Sequence, residues 1–334
     1  MKARSFFNIF LVSVLFIFGF SSCSQDESQN GKPRSLGGTS EILIVLQNEK
    51  QWDSQIGQTI RKYFAADQYG LPQNQPIFKL LHLKVSNFGT LFQKHRNIFV
   101  VNINPELKKS KIETKTDLWA SPQQVFKISA PSAEAFVKIF ETKHEYFVNK
   151  YMNTERQRIL SIFRPGMNAK AMTSLKKSFG FTMDIPAGFY VAKNKSGFMW
   201  LRREAVQYSQ GLIFISMPYK DTVQFSRRSI IARCQQYERH YIPGPTNGSY
   251  MTLDMKFVVP KTRVVNDFPA GYAVEMRGLW KVQNDFMGGP FVSYTFINPK
   301  NNKIITALGY VYQPNKKKRN LLLQVESILY SVKF

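Results

Sequence analysis

The chain has 334 residues, of which 43% are hydrophobic and 14% are aromatic. This length and composition exclude a wholly disordered protein and suggest two domains, each with its own hydrophobic core. Two cysteines exclude a disulfide-rich scaffold, and a formal net charge of +24 favours negatively charged partners.

The first 22 residues have the pattern of a signal peptide. Lys2 and Arg4 precede an apolar run over residues 6–20, which is shorter than the roughly 20 residues that a membrane-spanning helix needs. Two serines then precede Cys23, and small residues before a cysteine resemble a bacterial lipobox, in which the thiol is acylated and the chain is cut just before it. We therefore predict lipidation of Cys23. An ordinary signal peptide with an incidental cysteine is the alternative.

Residues 23–38 are polar and lack an apolar period, so they are predicted to form a flexible tether. Asp26 and Glu27 resemble the acidic export signal of surface lipoproteins in Bacteroidota. This resemblance implies an outer-membrane lipoprotein that is periplasmic or surface-exposed. A merely solvated tether is the alternative.

Residues 39–166 are predicted to form an α/β domain. The apolar run Glu41 to Leu46 indicates a buried strand, and Ser132 is a plausible N-cap of a long helix that ends at Arg164-Pro165-Gly166. Further strands are predicted over residues 78–85, 97–103 and 124–129, and a short helix over residues 88–93. A longer helix is predicted from Trp52 onward, and it should stop near Gly70-Leu71-Pro72. Strands that alternate with helices favour an open α/β sheet.

Residues 167–334 are predicted to form an antiparallel α+β domain, a curved sheet with packed helices. Strands are predicted over residues 181–185, 189–192, 198–201, 212–217, 251–259, 272–279, 291–297 and 304–312. Helices are predicted over residues 223–238 and 316–331. The fold class of the whole chain is therefore α+β.

The second domain contains an internal repeat. The segment from Asp184 to Val191 (DIPAGFYV) matches the segment from Asp267 to Val274 (DFPAGYAV). A duplication predicts two equivalent Pro-Ala-Gly hairpin corners, each followed by a strand that faces a helix, with Trp200 and Trp280 buried. Chance recurrence of a common hairpin is the alternative.

The lipobox, the Glu41–Leu46 strand, the helix containing Trp52 and the two Pro-Ala-Gly-aromatic corners together resemble a family of Bacteroidota lipoproteins, the domain of unknown function 4837. The resemblance would cover nearly all of the mature chain. Its motifs are structural, so it implies no catalytic residues.

No pattern predicts catalysis, a cofactor or a metal site. His144-Glu145 begins a metalloprotease pattern, but Val148 stands where the second histidine belongs, which favours a surface pair. Cys234 and His240 lie on different faces of one predicted helix, so Cys234 is predicted to be a buried, unpaired core residue.

Basic clusters give the candidate anion-binding residues, which are Arg202, Arg203, Lys316, Lys317, Lys318 and Arg319. The signal peptide argues against nucleic acid, so anionic lipids or glycans are the expected partners. A charge that serves only solubility is the alternative. The sequence thus predicts a lipid-anchored cell-envelope protein, attached to a membrane, that binds a protein partner or an anionic envelope component. The alternatives are a structural subunit of an envelope assembly and an enzyme with an active site assembled from distant residues.

Overall fold

A computed structural model describes residues 31–334. The predicted signal peptide, Cys23 and residues 23–30 of the predicted tether lie outside the described residues. The end of that tether is more ordered than expected, because Arg34 pairs with Ser121 and Leu36 pairs with His95 in isolated β-bridges.

The described residues 31–166, here called the first half, form a five-stranded sheet. Its strands are β1 (Glu41–Leu46), β2 (Lys79–Lys84), β3 (Asn97–Ile103), β4 (Lys111–Thr116) and β5 (Gln124–Ala130), in the order β2-β1-β3-β5-β4. All neighbours are parallel except β4 and β5. The predicted open α/β sheet is confirmed, with β4 as an additional edge strand.

Four helices belong to this half: α1 (Lys50–Asp53), α2 (Gln55–Phe64), α3 (Thr90–Gln93) and the long α4 (Ala133–Phe163). The Ser132 side chain accepts a hydrogen bond from the Ala135 N–H, which confirms the predicted cap of α4. Helices α2 and α4 cover one face of the sheet, where Phe64, Phe99 and Phe140 pack edge to face.

Residues from 167 onward, here called the second half, begin with α5 (Ala169–Phe179) and form an eight-stranded antiparallel sheet. Its strands are β6 (Phe189–Lys195), β7 (Phe198–Glu204), β8 (Ser209–Pro218), β9 (Tyr250–Leu253), β10 (Lys261–Phe268), β11 (Gly271–Gln283), β12 (Gly288–Asn298) and β13 (Lys303–Tyr312). The order is β10-β11-β12-β13-β8-β7-β6, and β9 pairs with β11. Two further helices are α6 (Arg227–Tyr241) and α7 (Arg319–Leu329).

Helices cover both faces of this sheet. Side chains of a strand alternate between the two faces, so each strand contributes to both cores. On β8, Leu212 and Phe214 join the core formed with α5 and α7, whereas Ile213 and Ile215 join the core formed with α6. The predicted antiparallel sheet with packed helices is confirmed.

The two Pro-Ala-Gly segments share a backbone feature but not a hairpin. Gly188 and Gly271 both have positive φ, at 87° and 83°, a conformation that glycine adopts without strain. The second segment joins β10 to β11 as a hairpin. The prediction of a hairpin is wrong for the first, because the chain before it is not a strand: Thr182 and Pro186 form only isolated bridges, to Lys333 and Met167.

The strands that follow the two segments are arranged symmetrically, since β6-β7-β8 and β11-β12-β13 meet where β8 pairs with β13. The following helices, α6 and α7, lie on opposite faces. Trp200 and Trp280 are buried, as predicted, at 7% and 4% exposure, although they lie on the non-equivalent strands β7 and β11.

The two halves are in close contact. Leu323 of α7 belongs to the core of the first half, beside the long helix α4. At the start of α7, the Arg319 guanidinium donates hydrogen bonds to the carbonyl oxygens of Pro76 (2.6 Å) and Thr39 (3.3 Å). The C-terminal helix therefore fixes the position of the second half against the first.

Candidate functional site

The basic run before α7 is divided between solvent and structure. Lys316 and Lys317 are exposed. Lys318 is buried and its Nζ donates to the Lys316 carbonyl (2.7 Å), while the Arg319 guanidinium is bonded to the first half. Only the first two lysines of the run therefore present their charge to solvent.

Arg202 and Arg203 are successive residues of β7 and so point to opposite faces of the sheet. The Arg202 guanidinium lies 5.0 Å from the centre of the Trp200 ring, and its Nη2 lies 2.5 Å from Glu204 Oε1. The structure therefore does not unite the six candidates into one cluster. Their anion binding stays a prediction.

Antiparallel pairing brings four connections to one end of the second sheet. Glu204 pairs with Ser209, Ser209 pairs with Tyr312, and Gln283 pairs with Tyr250. The connections are residues 205–208, 242–249, 284–287 and 313–318, and we call them together the loop end.

An aromatic cavity of about 320 Å³ lies beside the loop end. Its walls are predominantly apolar and include Trp200, Trp280, Tyr310, Ile242, Met251, Val282 and Met287. Arg202 and Ser209 add charge and a hydroxyl group. Concave, mostly apolar sites with a few polar groups are typical of ligand-binding pockets.

Hydrogen bonds hold the aromatic walls in place. Trp200 Nε1 donates to Tyr310 Oη (3.0 Å), and Trp280 Nε1 donates to the Val311 carbonyl (3.2 Å). Gly211 leaves room for the Tyr310 ring, because a Cβ there would lie 2.1 Å from it. Burial raises the pKa of Tyr310, so its hydroxyl stays protonated. The cavity is therefore preformed.

Two turns of the loop end carry large apolar side chains in full contact with solvent. Val206, between β7 and β8, and Phe286, between β11 and β12, have relative exposures of 104% and 107%. No packing in the described chain accounts for them. With Lys316 and Lys317 at the same end of the sheet, they give a surface that is both apolar and basic.

The remaining candidates for chemistry are structural. Residues 31–334 hold no group of three or more His, Cys, Asp or Glu side chains that could bind a metal. The His144 ring packs on Tyr63, and its Nδ1 lies 2.7 Å from the Glu141 carbonyl oxygen, as a surface residue of α4. Cys234 is a free, buried thiol, as predicted, and burial raises its pKa.

One buried acid escaped the sequence analysis. Glu238 of α6 is fully buried, and neither of its carboxyl oxygens has a hydrogen-bond partner among the described residues. Burial raises its pKa from 4.5 to about 8. A glutamate on a basic helix looks like a surface residue, so only the packing identifies it.

Within the described part of the chain, no helix is long and apolar enough to cross a membrane.

Comparisons with known proteins support a family but no activity. Residues 168–331 match the family described as Domain of unknown function (DUF4837), and residues 35–164 match Domain of unknown function (DUF8532). No curated protein is significantly similar in sequence to this chain. The resemblance predicted from the sequence is thus confirmed for the second half, while the first half matches a different family.

Among solved structures, the chain is similar to LpqN, a protein involved in cell envelope biogenesis of Mycobacterium tuberculosis. The identity is 9%, the match covers 46% of this chain and 82% of LpqN, and the TM-score is 0.26. That score is too low to carry an argument about fold or role. The family models are the more specific finding, and they assign residues 168–331 of this chain to the DUF4837 family, whose function is unknown.

Proposed function

We propose that the protein is a lipid-anchored cell-envelope protein whose loop end binds the surface of an anionic lipid bilayer. The observation that carries the proposal is the complete exposure of Val206 and Phe286 at one end of a sheet, the end that also carries the exposed Lys316 and Lys317. Exposed apolar groups rimmed by polar residues mark interaction sites. Basic residues next to them favour anionic lipid head groups.

The magnitudes fit reversible membrane binding. Burial of a Val or Phe side chain contributes about 1.5–3 kcal/mol, so the two tips together contribute about 3–6 kcal/mol. Each lysine near an anionic surface adds about 1 kcal/mol. These binding free energies together are enough to orient the protein on the membrane, whereas stable attachment requires the predicted acylation of Cys23.

The anchor and the loop end can reach the same membrane. Arg319, which follows the exposed lysines, contacts the Thr39 carbonyl, just where the chain enters β1. The predicted anchor at Cys23 precedes Arg34 by eleven residues, which span at most roughly 40 Å. An acyl chain on Cys23 would therefore leave the loop end within reach of the bilayer.

The aromatic cavity belongs to the proposed site. Its walls suit an apolar segment of a lipid, and Arg202 supplies a positive charge beside it. A lipid chain that entered the cavity would replace water on Trp200, Trp280 and Tyr310.

The experiment is co-sedimentation of protein starting at Gly31, which retains both sheets and the bridges of Arg34 and Leu36, with lipid vesicles. We expect binding to phosphatidylglycerol vesicles and not to phosphatidylcholine vesicles. Binding should weaken as salt rises, because the Debye length falls from about 10 Å at 0.1 M to about 3 Å at 1 M.

Matched variants distinguish binding through the loop end from binding through the net charge of the whole protein. The double variant Val206→Ser/Phe286→Ser should lose most binding at moderate salt, while Val223→Ser/Phe257→Ser, two exposed side chains outside the loop end, should bind like the wild type.

Lys316→Gln/Lys317→Gln should weaken binding more than Lys176→Gln/Lys177→Gln on α5. Equal effects of target and control pairs would show that only overall charge matters and would refute the proposed surface.

A further inference from the structure

A second cavity, of about 440 Å³, lies between the two halves and is distinct from the loop end. Helix α4 and the segment before β2 line it on one side, and β10 and β11 line it on the other. Its charged lining includes Arg156, Arg263, Arg277, Glu275 and Lys261.

The arginines belong to a buried ionic cluster with two glutamates. Arg156 Nη2 lies 2.6 Å from Glu326 Oε1, and Arg277 Nη2 lies 2.8 Å from Glu326 Oε2. Arg277 Nε lies 3.0 Å and Arg263 Nε lies 2.7 Å from Glu275 Oε1. Three guanidinium groups therefore share two carboxylates, and we call these five residues the arginine cluster.

All five members are ionised. The neighbouring guanidinium groups hold the pKa values of Glu275 and Glu326 below the usual range despite burial. The carboxylates in turn raise the pKa values of Arg156, Arg263 and Arg277. The cluster carries a net charge of +1, and Lys261 and Asp67 in the cavity lining compensate each other in charge.

The cluster also contains N–H donors without a hydrogen-bond partner. Arg156 Nε and Arg277 Nη1 are buried and have no hydrogen-bond partner among residues 31–334. The Arg156 side chain is only 7% exposed, so solvent hardly reaches it. A buried donor without a partner destabilises the folded protein, and more so when it is charged. A structural link between the halves needs only the pairs through Glu326. The third arginine, Arg263, adds the excess charge, and its side chain is 54% exposed at the rim.

We propose that this cavity binds a small organic anion whose oxyanion head, a carboxylate or a phosphate, neutralises the arginine cluster. Arginine is the side chain best suited to such heads, because its planar donors match two oxygens at once. The apolar part of the ligand would contact Ile77, Val148 and Met152, which line the same cavity. The site is independent of the proposed membrane surface.

The test is calorimetric titration of the full chain, kept in solution by a non-ionic detergent, with phenyl phosphate, benzoate and inorganic phosphate. We expect at least one of the two ring-bearing anions to bind more tightly than inorganic phosphate, because the ring fills the apolar part. Phenyl phosphate and benzoate also distinguish a phosphate head from a carboxylate head. Benzylamine, which carries the same ring and a positive charge, should not bind.

Two variants target the cavity in different ways. Arg263→Gln makes the cluster neutral and should weaken binding at least roughly tenfold, since a charged hydrogen bond contributes about 1.5–3 kcal/mol. Val148→Trp fills the cavity and should abolish binding while leaving the cluster intact, so it decides the question if Arg263→Gln does not fold. Arg228→Gln, an exposed arginine of α6, is the matched control and should leave binding unchanged.

The proposal is overturned if neither ring-bearing anion binds, if benzylamine binds equally well, or if binding survives Val148→Trp in the folded protein.

Discussion

Replacement of Glu238 by Gln is expected to stabilise the protein at neutral pH. The Glu238 side chain is fully buried on α6 with no hydrogen-bond partner in the described chain, and burial raises its pKa from 4.5 to about 8. The native protein therefore holds this acid in its neutral form at pH 7, while the unfolded chain releases the proton. Gln has almost the same shape and stays neutral at every pH.

The direction follows from the proton balance. Below pH 4.5 both states of the protein hold the proton, and the wild type carries no penalty. Between pH 4.5 and about 8 the folded state binds more protons than the unfolded state, so the free energy of unfolding falls by about 1.4 kcal/mol for each pH unit. From pH 5 to pH 7.5 the loss amounts to about 3 kcal/mol.

Urea unfolding at pH 5 and pH 7.5 measures this loss. The stability of Glu238→Gln relative to the wild type should increase by about 3 kcal/mol between the two pH values. Glu145→Gln, an exposed position of α4, controls for the loss of one acid and should show no such trend. An equal difference at both pH values would mean that Glu238 is ionised in the folded protein, and would refute the reasoning.

Three further predictions test other parts of the structure. Cys234 should react slowly with a thiol reagent in the native protein and rapidly in urea, because it is buried and burial raises its pKa; rapid native labelling would contradict this. Glu326→Ala should lower the free energy of unfolding by about 3–5 kcal/mol, because Arg156 and Arg277 lose their shared carboxylate. A loss below about 1 kcal/mol, measured by urea unfolding, would contradict this prediction. Radiolabelled fatty acid should enter the wild type and not Cys23→Ala, and equal labelling of both would rule out Cys23 as the acylation site.

Elements with a strong apolar pattern could be predicted from the sequence. Strands β1 and β5 are buried over nearly their whole length, and their apolar runs stand out against polar flanks. Strands β4 (KIETKT) and β10 (KTRVVNDF) were missed because they lie at sheet edges and are largely exposed. Their residues form strands because a neighbour offers hydrogen bonds, and no local pattern records that neighbour.

Apolar alternation also indicated burial where no strand exists. Phe181, Met183 and Ile185 are buried in the core of the second half, as a strand would place them. The backbone there is not part of the sheet, and Thr182 forms only a bridge to Lys333. Periodicity reports which side chains face the core, whereas ladder partners are decided by the tertiary fold.

The site was accessible to sequence reasoning only through its charges and its two tryptophans. The internal repeat pointed to Trp200 and Trp280, but their common cavity depends on the register of β7, β13 and β11. Val206 and Phe286 lie in unremarkable turns, and only full exposure singles them out. Arg156 and Glu326 are 170 residues apart in sequence, so the arginine cluster has no local signal.

The central claim is that the loop end faces the membrane, and fluorescence at its tip tests this most directly. A polarity-sensitive dye attached to Phe286→Cys, in protein starting at Gly31, should shift to shorter emission wavelength when phosphatidylglycerol vesicles are added. The same dye at Phe257→Cys, an exposed position outside the loop end, should not shift. A shift at residue 257 without one at residue 286, or no shift at residue 286 under conditions where the protein co-sediments with the vesicles, would contradict the account.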